Sequence, residues 1–167
     1  MQSLYEQAMN AELVWHQPSI MKRQYELRIA EETIGKLDWV NSWGSLATAE
    51  LSGERWTFKR VGVFNIRITV RREGSDEDIA VFKPTWTGAG TLSFPDGRTF
   101  QWKSLNFWQT DWAWVNPGDH PFVRLVSKGK MLRLEAAVAI EPLASALPEL
   151  PLLVLLSWYL KVMAWED

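Results

Sequence analysis

A chain of 167 residues, 47% hydrophobic and 23% charged, has the size and composition of one globular domain, able to bury roughly 70% of the surface it exposes when unfolded. The absence of cysteine excludes disulfides, thiolate zinc sites and cysteine nucleophiles, and a formal net charge of -2 gives no global attraction to nucleic acid or anionic membrane. The excess is in tryptophan, present eleven times.

The N-terminus has neither a basic leader nor an apolar run with a small-residue cleavage site, so the expected location is the cytoplasm. Ser3 and Glu6 have capping-box spacing. Leu4, Ala8, Ala11 or Glu12, and Trp15 follow near helical spacing, which predicts a short amphipathic helix over 3–16 within a helical lead-in of residues 1–20. From Met21 onward the period changes to two. Tyr25, Leu27 and Ile29 alternate with Glu26 and Arg28, the pattern of a half-buried strand. Segments 35–40, 45–51, 54–60 and 64–72 repeat it, the last with Phe64, Ile66, Ile68 and Val70 on one face.

An acidic loop, Glu73 to Asp78, precedes a strand over 79–83. Strands over 90–94 and 98–103 flank Pro95-Asp96-Gly97, a hairpin turn in which proline sets a negative φ and glycine supplies a positive one. Segments 109–115, 121–127 and 131–140 complete the series. The strands number about eleven across 21–142, at a spacing of roughly 8 to 12 residues that suggests a sandwich or barrel in one mainly β domain.

The C-terminal run from Leu150 to Leu160 is apolar on every side, so a helix there has to be wrapped by protein or placed in lipid. Its uncharged length between Glu149 and Lys161 is eleven residues. That reaches about 16 Å at roughly 1.5 Å per residue, short of the roughly 30 Å of a bilayer core. A buried helix over 147–165 is therefore expected, with no transmembrane span. Small residues at Ser45, Ala47, Ala49 and Ala136 are compatible with strands wrapped around it.

Short antiparallel strands followed by one intensely hydrophobic helix resemble the tubby-like superfamily, which includes tubby C-terminal domains, phospholipid scramblases, LURP-one-related proteins and small bacterial proteins. The resemblance spans residues 25–165. It rests on Gly35-Lys-Leu-Asp-Trp-Val40, on Val81-Phe-Lys-Pro-Thr-Trp86 with 90–98, on Lys130-Met-Leu-Arg-Leu-Glu135 and on the terminal helix. It implies a closed antiparallel barrel of about 11 to 12 strands around the helix, and by analogy binding to lipid headgroups on the barrel exterior. The family's phosphoinositide-binding and calcium-loop patterns have no residue-by-residue match here.

Two constellations are candidate sites. Arg55, Lys59, Arg67 and Arg71 lie on the outward faces of two neighbouring strands, within a segment, 53–72, whose local balance is +5. Such a face can hold a phosphate or anionic headgroup through charge-assisted hydrogen bonds. It also reads as a solvated wall neutralised by Glu73, Asp76, Glu77 and Asp78. Trp108, Trp112 and Trp114 share one parity. They form an interface if outward and pack on the helix if inward, and packing is the expectation. For catalysis, His16 and His120 lack sequence partners and no Gly-x-Ser-x-Gly elbow occurs; no cofactor or metal is implied. The expected function is a non-enzymatic module engaging an anionic phospholipid or a phosphorylated protein partner, peripheral at the membrane. A lipocalin-type ligand-binding or enzymatic barrel and a structural homo-oligomer are the alternatives.

Overall fold

The computed structural model describes residues 2–128 and 135–166. Helix α1 (Leu4–Asn10) leads into twelve strands, β1 (Leu13–His16), β2 (Gln24–Ile29), β3 (Glu32–Trp39), β4 (Ala47–Leu51), β5 (Glu54–Val61), β6 (Arg67–Arg72), β7 (Asp78–Pro84), β8 (Gly90–Ser93), β9 (Thr99–Ser104), β10 (Asp111–Val115), β11 (Pro121–Lys128) and β12 (Glu135–Ile140). A short turn at Pro142–Ala144 precedes helix α2 (Leu150–Glu166). Every strand is antiparallel to its sequence neighbours, and β1 pairs with β12 to close the barrel. Alternation sends one parity inward: Tyr25 and Leu27 on β2, Trp56 and Phe58 on β5, and Ala80 and Phe82 on β7 are all buried. Of the stretch 130–135 that contributes to the family resemblance, and of the strand expected over 131–140, residues 130–134 and 131–134 respectively lie outside the described residues.

The structure corrects the reading of the N-terminus. The Ser3 cap is real, its Oγ accepting from the Glu6 amide at 3.1 Å, but the helix stops at Asn10. Leu13 and Trp15 instead alternate as a strand, opposite Val138 and Ala136 on one side and Ile29 and Leu27 on the other. Closure explains this, because β1 covers the two edges that β2 and β12 would otherwise leave unpaired. A second correction concerns 64–66. The strand begins only at Arg67, since Gly62 turns the chain at φ 92° and a Cβ there would collide with the Asn65 carbonyl.

Helix α2 runs along the barrel axis. Trp158 stacks on Trp15 of β1 at 5.6 Å and meets Tyr25 of β2 edge-on at 5.7 Å. Tyr159 stacks on Trp39 of β3 at 5.3 Å and meets Phe58 of β5 edge-on at 5.4 Å. On the opposite wall, the Trp114 indole of β10 donates to the Leu153 carbonyl at 2.8 Å. The Tyr159 hydroxyl donates to the Ser45 carbonyl at 2.6 Å, so two hydrogen bonds to the wall, one fully and one partly buried, fix the helix's register. Ser157, fully buried in the same run, donates to the Val154 carbonyl of its own helix at 2.6 Å, which removes the cost of burying a free hydroxyl. Room for the helix comes from small inward residues. Ala47 and Ala49 lie on β4, which α2 approaches most closely, and Ala80 and Ala136 lie on other walls. No helix among the described residues is long and apolar enough to cross a membrane.

Candidate functional site: the mouth of the barrel

Antiparallel alternation sorts the connections between strands into two ends. At one end, the base, lie 30–31, 52–53, 73–77, 94–98 and 116–120, short polar turns with positive φ at Ala30, Ser52, Gly74, Gly97 and Asp119. At the other, the mouth, lie 17–23, 40–46, 62–66, 85–89 and 105–110. The C-terminus of α2 emerges at the mouth, where Lys161 reaches the Gln109 carbonyl and Arg23 holds Glu166.

The two ends differ in chemistry. Trp86 is 97% exposed, Phe64 96%, Phe107 89% and Trp43 88%, and Met21, Val63, Trp108 and Trp165 are exposed beside them. Among the described residues, every large apolar side chain that is exposed sits at the mouth except Met9 and Leu143. Such a concentration at one end makes the mouth the candidate interaction surface, since singly scattered exposed hydrophobics need no explanation but their gathering at one end does.

The loops hold these side chains outward by their own hydrogen bonds. Asn106 Oδ1 accepts from the Thr110 amide at 3.0 Å and its Nδ2 donates to Thr110 Oγ1 at 2.7 Å, a closure that turns Phe107 and Trp108 into solvent. The Thr85 amide donates to the Ala89 carbonyl at 2.7 Å, and Trp86 stands at the tip of that loop. Arg23 donates to the carbonyls of Asn41 and Gly44 at 3.1 and 3.0 Å and forks onto Glu166 at 2.7 and 3.0 Å. Its guanidinium also lies over the Trp39 ring at 5.1 Å, so one side chain joins the rim to the end of α2.

The four basic candidates separate. Arg55 lies toward the base with Glu50 and Glu73 at 3.4 and 3.5 Å, and Arg71 donates to Asp78 at 2.6 Å. Half of the proposed patch is therefore neutralised by acids nearby. Lys59 and Arg67 have no acidic partner among the described residues and lie toward the mouth. Lys59 faces Thr69, Arg67 faces Val61, and Ile68 pairs with Phe82, which sets Lys83 beside Arg67. Lys83 likewise has no acidic partner among the described residues. Arg55 and Arg67 are separated by six positions along the register, roughly 20 Å, and cannot grip one headgroup. Sequence reasoning missed Lys83, although its outward parity on β7 was readable.

The three tryptophans separate too. Trp112 and Trp114 point inward, 7% and 0% exposed, with Trp102 stacked on Trp112 at 5.6 Å. Trp108 precedes the strand, which begins at Asp111, and is 78% exposed in the 105–110 loop. The three form no common face. His16 and His120 lie at opposite ends, and no group of three or more metal-ligating side chains occurs among the described residues.

Inside the collar is a pocket of about 490 Å³ between the last turns of α2 and strands β5 to β10. Apolar walls come from Ile68, Phe82, Trp86, Trp112, Met163 and Trp165, and the charged groups on them are Arg60 and Lys161. Burial pulls the Lys161 ammonium below the ordinary lysine range, because a desolvated ammonium loses hydration that neutral surroundings do not replace. The fold and site together define a β-barrel plugged by its own C-terminal helix, with an apolar, aromatic mouth above a basic wall. Comparison of the chain with protein-family models, curated proteins and solved structures finds no match.

Proposed function

We propose that this chain is a non-enzymatic binding module that docks mouth-first on anionic membrane surfaces. The observation that carries this reading is the gathering of exposed aromatic and aliphatic side chains at the mouth. Tryptophan and phenylalanine suit the headgroup boundary because it accepts an apolar body. Just below the collar, Lys59, Arg67 and Lys83 add attraction of about 1 kcal/mol each near an anionic leaflet. Full burial of one such aromatic adds roughly 1.5–3 kcal/mol, so shallow insertion of several is the larger contribution. Acidic side chains stand in the base turns, among them Glu31, Asp76 and Glu77. That polarity of charge orients the barrel with its mouth toward a negative surface. The lipocalin-type alternative loses its cavity, because α2 occupies the axis. Membership of the tubby-like superfamily belongs to the same proposal and is supported by the closed barrel around a terminal helix. On this reading the chain works in the cytoplasm as a peripheral membrane protein and needs no cofactor.

Flotation with phosphatidylserine-containing and pure phosphatidylcholine vesicles at physiological salt tests the proposal. Binding to the anionic vesicles is expected, lost in a Phe64→Ser, Trp86→Ser, Phe107→Ser variant and weakened by Lys59→Glu with Arg67→Glu. Arg55→Glu with Arg71→Glu is expected to leave it largely intact. Failure to float, or collar substitutions without effect, would count against docking. Light scattering that shows the collar closing a homo-oligomer would replace the membrane with a second copy of the chain.

A further inference from the structure

We infer that the mouth pocket is a binding site for a single-chain amphipathic anion, an apolar tail ending in a carboxylate or phosphate, with Lys161 holding the head group. The volume, about 490 Å³, falls within the range of roughly 300–1,000 Å³ typical of small-molecule sites. The lining divides as such a ligand requires. Phe82, Trp112, Leu160 and Met163 form an apolar floor continuous with the core, and Trp86 and Trp165 form the outer walls. Among the described residues, no acidic side chain lines the pocket.

Lys161 is the feature that calls for an anion. It follows the last residue of α2's uncharged run, so its position in the chain ties it to the axis of the barrel. Its Nζ donates to the Gln109 carbonyl at 3.3 Å, which leaves two of three ammonium protons for a ligand. No acidic side chain pairs with it among the described residues, and the downward shift in its pKa has burial as its only cause. A partly desolvated cation with no counter-ion is unfavourable unless something negative joins it. An incoming carboxylate or phosphate supplies that charge and restores charge-assisted hydrogen bonds. Arg60 contributes a second positive group to the same walls. A neutral apolar ligand would fill the volume but leave the ammonium unpaired, which is why the charge of the head sets the preference.

This site stands apart from membrane docking, because a monomeric ligand can be tested with no vesicle present. Isothermal titration of the full chain with dodecanoate, lysophosphatidate and uncharged dodecanol, each kept below its micelle concentration, separates the outcomes. One saturable site for an anionic probe is expected, with dodecanol bound roughly tenfold or more weakly; comparing dodecanoate with lysophosphatidate tells which head the site prefers. Lys161→Met should bring the preferred anion down to the dodecanol level while leaving dodecanol unchanged, and Lys161→Arg should retain the preference. Trp86→Ala, at a side chain too exposed to disturb the core, should weaken both anion and alcohol. Equal affinity for anion and alcohol in the unmodified chain would overturn the assignment without any variant. So would anion binding that survives Lys161→Met, or the absence of saturable binding.

Discussion

Replacing Trp158 by alanine tests the placement of α2 most sharply. The indole is fully buried, stacked on Trp15 and edge-on to Tyr25. Its Nε1 has no hydrogen-bond partner among the described residues, so the substitution removes packing and no polar contact. A large aromatic deleted from a close-packed core costs about 3–5 kcal/mol, the lost transfer energy plus the cavity left behind. For a domain of this size that corresponds to a fall in Tm of roughly 6–20 °C. Trp165, seven residues further along α2 and 59% exposed at the mouth, is the control, and its alanine variant should stay within about 0.5 kcal/mol of the parent. Urea unfolding of the two variants, followed by far-UV circular dichroism, reads the difference. Equal and small effects at both positions would mean that α2 is not enclosed by the strands.

Gly90→Ala should destabilise the barrel by about 1–3 kcal/mol, since a Cβ there would lie 2.5 Å from Phe82 Cζ and from the Lys83 carbonyl oxygen, a backbone atom held in the β7–β8 pairing; a melt indistinguishable from the parent would refute that close approach. Alkaline pH should unfold the protein in a tyrosine-dependent way. Burial, with Glu166 acting in the same direction, lifts Tyr25 to about 12, and burial lifts Tyr159 as well. The folded state thus holds these protons more tightly than the unfolded chain, whose tyrosines titrate near 10. Stability is intact below about pH 10 and falls above it by roughly 1.4 kcal/mol per pH unit for each tyrosine. Urea midpoints between pH 9 and about 11.5 should decline less steeply for Tyr25→Phe than for the parent, and identical slopes would contradict the assignment.

The barrel was legible because its strands carry strict alternation and its helix carries none. Tyr25 with Leu27, and Ile68 with Val70, mark inward faces at a period of two, and the uncharged run after Glu149 is too short for a membrane and too apolar for a surface. The first strand was hidden by a coincidence of spacing. Leu4, Ala8 and Trp15 lie near helical intervals, and a genuine cap at Ser3 reinforced them, whereas the four residues of β1 are too few for alternation to show. Only closure against β12, a contact across most of the chain, selects the strand. Phe64 and Ile66 continued the parity of β6, and the turn at Gly62 that frees them depends on backbone geometry rather than side-chain pattern.

The mouth was not legible for a different reason. Trp43, Phe64, Trp86 and Trp108 are far apart in sequence, and each read singly is an ordinary loop or strand residue. They become one surface once the strand count fixes which connections share an end. Antiparallel order sends every second connection to the mouth whatever the first strand does, and the collar stayed hidden because Phe64 and Trp108 read as inward members of strands that in fact begin only at Arg67 and Asp111. The basic hairpin was half legible. The neutralisation expected from Glu73 and Asp78 reaches Arg55 and Arg71, while Lys59 and Arg67, joined by Lys83 on the next strand, have no acidic partner among the described residues, which only the register shows.

Hydrogen–deuterium exchange of the chain, alone and with phosphatidylserine-containing vesicles, tests the central claim most directly. Docking by the mouth predicts slowed exchange in 40–46, 62–66, 85–89 and 105–110, with the base turns at 52–53, 73–77 and 94–98 unchanged. Protection confined to the base turns or to the outer wall around Arg55, or no protection by anionic vesicles, would contradict it.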